Sequence, residues 1–154
     1  MNLEFKGQER IPVPRERVWS FINDPNSIAR CLPDVQDITI VDAHSFDALV
    51  QVAVGPVRGK LKFKVALDPQ SDGNHMNMRI NGGGFGSVID LNAGAALSDD
   101  GAGGTTLDWQ GTATARGPIA TVGGRVMDAQ AQRVIASTFG NIKENLTGSG
   151  AASP

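Results

Sequence analysis

The sequence predicts an α+β domain in which one curved antiparallel sheet of seven strands wraps around a long C-terminal helix. Seven segments alternate apolar and polar residues, which is the period of a half-buried strand. Short turn-forming segments join the last six of these strands, and short connections imply antiparallel neighbours. Near Ile119 the apolar period changes to three and four residues, as expected for a helix that covers one face of the sheet.

The first predicted strand covers residues 2–12 and is followed by two short helices. Pro14 suits the first turn of a helix because its missing N–H would have no partner there, and Glu16 interacts favourably with the positive end of the helix. Asp24-Pro25 ends this helix, since proline restricts the residue before it, and a second helical turn is predicted over residues 26–30.

The remaining chain consists of six predicted strands and one long helix. Gly55-Pro56 and the glycine run 82–84 are interpreted as turns between strands. The helix is predicted from about residue 119 to residue 146, with a weakened start at Gly123-Gly124. Residues 1–146 are therefore expected to form one domain, and residues 147–154 have the composition of a flexible tail. The six strands are predicted at residues 35–41, 45–54, 58–68, 76–82, 87–97 and 105–114.

Composition and charge exclude several classes of protein. The chain has 154 residues, enough for one domain with its own core, and 40% of them are hydrophobic. A net charge of -2 gives no electrostatic reason to expect a nucleic-acid partner. The single cysteine, Cys31, fits a reducing compartment, and the charged N-terminus lacks the apolar core of a signal peptide. We expect a cytoplasmic protein, since no run of apolar residues is long enough to span a membrane.

Small residues on inward-facing strand positions indicate either a cavity or close packing of the helix on the sheet. Ala93 and Ala95 share a face with bulky residues, and Gly111 and Ala113 follow Trp109 at the same parity. Protein cores normally pack at crystal-like density, so small residues in a row mean empty volume or close backbone approach. The sequence alone leaves both interpretations open.

If a cavity exists, parity predicts which side chains contact an apolar ligand. Methionines suit an adaptable wall, although a row of methionines more often belongs to an ordinary core. A polar residue on the apolar side of the long helix, Gln130, needs a partner, which could be a backbone group, a water molecule or a ligand carbonyl. Trp19 and Phe85 are predicted near the entrance. The predicted ligand-binding residues are Leu61, Phe63, Met76, Met78, Trp109, Val126, Gln130 and Phe139.

A basic strip alternates with apolar residues on the third predicted strand after the short helices. Its members project from one face, because successive side chains of a strand point to opposite faces. They are either a solvated outer face that protects the sheet or a contact surface for anionic lipid headgroups or an acidic partner. The strip consists of Arg58, Lys60, Lys62 and Lys64.

The chain offers few residues for catalysis or metal binding. His44 and His75 both fall in predicted turns, and Cys31 precedes an apolar Leu-Pro pair, so no metal site is predicted. No histidine or carboxylate has a plainly inward parity, since Asp90 and Asp108 point outward. The glycines at residues 82–86 are followed by a strand rather than a helix, which argues against a phosphate-binding loop.

Four segments, taken together, resemble a known family. Residues 11–25 (IPVPRERVWSFINDP) are similar to the opening of START-like domains, the SRPBCC or helix-grip superfamily, whose members hold ligands in a deep cavity. Residues 28–35 (IARCLPDV), 54–60 (VGPVRGK) and 123–126 (GGRV) resemble the CoxG-like family, the G component of carbon monoxide dehydrogenase. The similarity runs to about Leu146. It departs at Asp34, where the family usually has glycine after the Leu-Pro pair.

The resemblance implies a non-catalytic accessory protein of molybdenum hydroxylases of the carbon monoxide dehydrogenase type. Such proteins are associated with enzyme maturation or with coupling to the membrane, and a quinone or another apolar molecule is the expected ligand. No tightly bound cofactor is expected. Many relatives end in a tail that meets the membrane, so peripheral contact with its inner face is a further expectation. The alternative function is a START-like enzyme, such as a cyclase, dehydratase or hydrolase, acting on an apolar small molecule.

Overall fold

The computed structural model describes residues 1–148, and residues 149–154, which make up most of the predicted tail, lie outside the described part. Strand β1 (Asn2–Ile11) is followed by the short helices α1 (Arg15–Ile22) and α2 (Pro25–Ala29). A 3₁₀ segment (Pro118–Val122) then precedes the long helix α3 (Gly124–Thr147). Between them lie β2 (Val35–Asp42), β3 (Ser45–Val54), β4 (Val57–Pro69), β5 (His75–Gly84), β6 (Ser87–Asp99) and β7 (Thr105–Arg116).

All seven strands form one antiparallel sheet in the order β1-β7-β6-β5-β4-β3-β2. Five hairpins connect β2 to β7 in sequence, and β1 pairs with β7 from the other end of the chain. Helix α3 contacts both β1 and β3, which four strands separate in the sheet. The sheet therefore curves around the helix, and the predicted fold class is confirmed.

The hairpin between β5 and β6 differs from the prediction. The glycine run 82–84 belongs to β5, and the turn is formed by Phe85 and Gly86, whose φ angles are 40° and 79°. Two positive φ angles in succession are typical of the two-residue hairpin turn that matches the twist of a sheet. The prediction was wrong because glycine usually marks the turn itself. Here Gly84 allows β5 to pass close to the backbone of Lys60, where a side chain would collide.

Helix α3 begins at Gly124, later than predicted. Gly123 has a φ of 92°, a conformation that favours glycine, and it separates the 3₁₀ segment from α3. The apolar residues before Gly123 therefore do not continue the apolar stripe of the helix. Met127 is buried on the first turns of α3, whereas Val126 is 43% exposed.

Two buried clusters hold the helices on the sheet. The larger cluster joins α1, α2 and the C-terminal half of α3 to the strands, with Val18, Phe46 and Ile142 among its members. The smaller cluster lies beside the 3₁₀ segment and includes Leu61 and Met127. Between the two clusters the helix stands away from the sheet. Within residues 1–148, no helix is both long enough and apolar enough to cross a membrane.

Candidate functional site

An apolar cavity of two lobes lies between the concave face of the sheet and α3. The lobes have volumes of about 240 Å³ and 250 Å³. They share walls, since Phe5 and Ile80 on the sheet and Val134 on α3 line both of them. Together they reach the lower part of the range of small-molecule sites, roughly 300–1,000 Å³. The small residues of β6 and β7 thus correspond to empty volume: Ala93 and Ala95 line one lobe, and Ala113 lines the other.

The structure brings seven of the ten predicted ligand-site residues to this cavity. The first lobe, which extends toward the 3₁₀ segment, is lined by Leu61, Phe63 and Gln130. The second lobe, which extends toward α1 and α2, is lined by Met76, Met78, Trp109 and Phe139.

Three predicted residues line neither lobe. Val126 points away from the sheet, and Met127 takes the inward position. Four residues turn a helix about 40° beyond a full turn, so Val126, eight residues before Val134, falls outside the inward face. Trp19 packs on the larger buried cluster from α1. Phe85 stands at the tip of the β5–β6 hairpin, with its ring over Gly59 of β4 and 38% of its surface exposed.

Sequence reasoning missed lining residues from two other parts of the chain. Phe5 and Leu3 of β1 face the first lobe because β1 pairs with β7, a contact between distant parts of the chain. Leu32 and Pro33 reach it from the loop after α2. The sequence shows the inward parity of the β1 residues and the presence of the Leu-Pro pair. It does not show that β1 and this loop lie close to α3 in the folded chain.

Cross-strand glycines keep the aromatic side chains flat against the sheet. The ring of Phe63 lies over its partner Gly82, and the indole of Trp109 lies over Gly7, where an added Cβ would come within 2.6 Å of the ring. Trp109 also stacks at a tilt on Phe139 of α3, with ring centroids 5.6 Å apart. These contacts place the rings along the walls and leave the centre of the cavity free.

Polar side chains occur mainly at the rim of the first lobe. Asp34 has a φ of 62°, a left-handed conformation that aspartate adopts more readily than most residues. Its carboxylate accepts a hydrogen bond from Arg133 of α3 at 2.8 Å, so an ion pair joins the loop after α2 to the helix. Gln51 donates to the carbonyl of Gly59 and accepts from Gln36. Gln130 is the remaining polar side chain of this lobe.

The titratable groups give no sign of an acid–base pair in the cavity. Among the described residues, Asp34 is the one carboxylate that lines the cavity, and no histidine lines either lobe. Asp108 binds Gln8 and Asp90 binds Asn81 on the convex face of the sheet. Burial raises the pKa of the Cys31 thiol from 9.0 to about 11, so this cysteine is protonated at neutral pH. Within residues 1–148, no group of three potential metal ligands comes together.

The predicted basic strip lies on the convex face of β4. Arg58, Lys60, Lys62 and Lys64 are all exposed, and the residues between them face the cavity side. Lys62 lies 4.0 Å from Asp47 of β3.

The architecture has many counterparts among solved structures. A conserved protein from Geobacillus kaustophilus superposes with a TM-score of 0.86 at 21% identity, covering 96% of this chain and 97% of that one. A START superfamily protein from Mycobacterium smegmatis gives 0.71 at 11% identity, with coverage of 94% and 97%. An aromatase/cyclase from Streptomyces sp. R1128 gives 0.69 at 13% identity, with coverage of 99% of both chains. Identities this low establish the fold alone, so the chain has a START-like fold built around an apolar cavity.

The family follows from the sequence itself. A family model for the G component of carbon monoxide dehydrogenase (CoxG) matches residues 7–147. The chain belongs to this CoxG family. A search of curated proteins found no match.

Proposed function

We propose that this protein is a non-catalytic accessory protein that binds a quinone or a similar apolar molecule and helps to mature a molybdenum hydroxylase or couple it to the membrane. The observation that carries the proposal is the two-lobed cavity, because empty apolar volume destabilises a protein and is kept where a ligand fills it. The family name supports a partner of the carbon monoxide dehydrogenase type.

The shape and polarity of the cavity suit an isoprenoid quinone. Such a molecule combines a flat ring, whose two carbonyl oxygens accept hydrogen bonds, with a flexible apolar tail. The second lobe is lined mainly by apolar side chains such as Met78, Trp109 and Phe139, and it would hold the tail. In the first lobe Asp34 and Gln51 already have partners, so the side-chain amide of Gln130 is the donor we expect to face a quinone carbonyl.

The lining favours binding over catalysis. START-like folds host enzymes as well, as the Streptomyces aromatase/cyclase shows, and fold alone does not define function. An enzyme of the cyclase, dehydratase or hydrolase type needs an acid–base group beside the ligand. The one carboxylate among the described lining residues, Asp34, sits at the rim and is paired with Arg133.

The test is native mass spectrometry, with organic extraction, of the full chain purified from a host that contains quinones. We expect one quinone or related isoprenoid per chain. Gln130→Leu should keep the fold and weaken retention by roughly tenfold, because one hydrogen bond of about 1 kcal/mol is lost and a quinone carbonyl is left without a donor. Gln132→Leu, at an exposed position of the same helix that lines neither lobe, is the matched control and should retain the ligand as the wild type does.

A protein that remains empty after incubation with quinones would overturn the ligand proposal. Equal retention by the Gln130 variant and its control would overturn the assignment of the donor.

A further inference from the structure

The first lobe of the cavity is closed on one side by a short loop and not by a strand. Residues 31–34, which we call the strap, run from the end of α2 to the start of β2. All but the first of them line the first lobe. Among the described residues, none that belongs to β2 lines either lobe. Leu32 of the strap lines both lobes, so an outward movement of the strap would open the whole cavity.

The edge of the sheet beside the strap is incomplete. β2 pairs with β3 from Ser45 as far as Val50, so within the described chain residues 51–54 of β3 pair with β4 alone. The strap takes the free place beside them, since the backbone N–H of Gln51 donates to the carbonyl of Asp34 at 3.1 Å. A wall held by so few hydrogen bonds opens more readily than a continuous sheet.

The polar side chains that line the first lobe gather at this place. They are Asp34, Gln51 and Gln130, and the first two are exposed. Gln130 lies one turn before Arg133 on α3, and Arg133 donates to the carboxylate of Asp34 at 2.8 Å. Because burial of polar groups away from water is costly, a polar rim at one place marks where an apolar cavity meets the solvent.

The two ends of the strap are attached to α3 with unequal strength. At the α2 end Cys31 is buried, and its carbonyl accepts a hydrogen bond from the side-chain amide of Asn141 at 2.9 Å. At the β2 end the ion pair between Asp34 and Arg133 is exposed, with 46% and 51% of the two side chains accessible. An exposed ion pair contributes little to stability and is weakened by salt, so this end can release while the other stays attached.

We infer that the opening between the strap, the end of β3 and α3 is the entrance for the ligand, and that Asp34 and Arg133 form its latch. The pair joins the strap to the helix across the opening, so its rupture frees Leu32 to move out from between the lobes. An apolar tail would enter first, and a polar group of the ligand would remain near Gln130. The inference rests on the proposed function in one respect, that an apolar ligand occupies the cavity, and it does not require that this ligand be a quinone.

The test is stopped-flow fluorescence of the full chain, freed of bound lipid on a hydrophobic resin, with N-phenylnaphthylamine, a neutral dye that fluoresces in apolar surroundings. Asp34→Asn removes the charge and keeps the turn, since asparagine also tolerates a positive φ. We expect uptake and release of the dye to accelerate together by about two- to fivefold, the factor that corresponds to an exposed ion pair, with unchanged equilibrium affinity. High salt should accelerate exchange in the wild type and leave the variant unchanged, because salt screens exposed charges.

Glu9→Gln is the matched control, because Glu9 and Lys143 form another ion pair between the sheet and α3, at 2.7 Å, on the side of β1. Its exchange rates should equal those of the wild type. Arg133→Gln should act as Asp34→Asn does. The double variant should be no faster than either single variant, since all three proteins lack the same pair.

Unchanged rates in Asp34→Asn, an equal acceleration in Glu9→Gln, or failure of the dye to enter the wild type would each overturn the inference. A change in release alone would make Asp34 a ligand contact and would overturn the latch as well. Quinone content is measured on the same proteins by native mass spectrometry. Latch-dependent exchange in a protein that never retains quinone would contradict the proposed function alone, and full quinone retention with rates independent of Asp34 would contradict this inference alone.

Discussion

At the scale of single residues, glycine and aromatic side chains work in pairs to shape the cavity. Phe63 over Gly82 and Trp109 over Gly7 are direct cross-strand partners on the concave face. Cross-strand packing of this kind stabilises a sheet and compensates for the missing side chain of glycine. A Cβ on either glycine would push the ring toward the helix. The two glycines therefore let the rings lie close to the sheet and leave space where the ligand would lie.

Two adjacent glycines of β5 allow this to be tested. Gly82→Ala places a methyl group against the ring of Phe63, and we expect the free energy of unfolding to fall by about 1–3 kcal/mol through overpacking. Gly83→Ala is the control, because its Cβ would meet only the carbonyl of Ser87 at 3.7 Å on the other face, and the strand should be unchanged or slightly more stable. Chemical denaturation of both variants measures the difference.

The loss in Gly82→Ala should shrink to less than half in a Phe63→Leu background, where the clashing ring is absent. Equal stability of the Gly82 and Gly83 variants would contradict the pairing.

Among the secondary-structure elements, helix α3 lines the cavity with one face and has a destabilising glycine on its exposed face. Gly140 lies on an exposed position inside the helix, and an added Cβ would meet no atom within 4 Å, so Gly140→Ala should raise the free energy of unfolding by about 1 kcal/mol. Gly117, just before the 3₁₀ segment, is the opposite case. Its φ is 87°, and a Cβ there would collide with the carbonyl of Gly86, so Gly117→Ala should be destabilising by several times that amount. Thermal unfolding of the two variants shows whether the first is stabilised and the second destabilised.

The strands were predictable from sequence because their signal is local. Alternation and turn residues predicted β3 at residues 45–54, as observed, and the other strands within three residues at either end. The start of α3 was less accessible, because the helical period alone did not show that Gly123 interrupts it. The four-residue spacing to Gln130 predicts Val126 on the inward face, whereas Met127, one residue further on, occupies that face, because four residues turn a helix about 40° beyond a full turn. Phe85 was placed near the entrance from its neighbouring glycines, yet its own positive φ was hidden in the sequence.

For the whole molecule, the same inward-facing positions determine both the volume of the cavity and the stability of the core. The interior faces of β6 and β7 carry alanine and glycine where larger side chains would stabilise the fold, and α3 presents Ala131 to the first lobe. Cavities of this kind cost stability in the empty protein. Stability that is given up at a binding site can usually be regained by filling the space, with loss of function.

Ala131→Leu is expected to raise the thermal stability of the protein and to lower its retention of quinone. Leucine would fill part of the first lobe and bury additional apolar surface, so the midpoint of thermal unfolding should rise by about 2–4 °C, the shift that corresponds to about 1 kcal/mol in a chain of this size. Quinone retention in native mass spectrometry should fall at the same time, because the same volume is needed by the ligand. Gly140→Ala on the exposed face of the same helix is the matched comparison, since it should raise the midpoint similarly and leave retention unchanged. An Ala131→Leu protein with full quinone content would mean that the first lobe does not hold the ligand. A lowered midpoint would instead mean that this lobe is already packed too closely to accept a larger side chain.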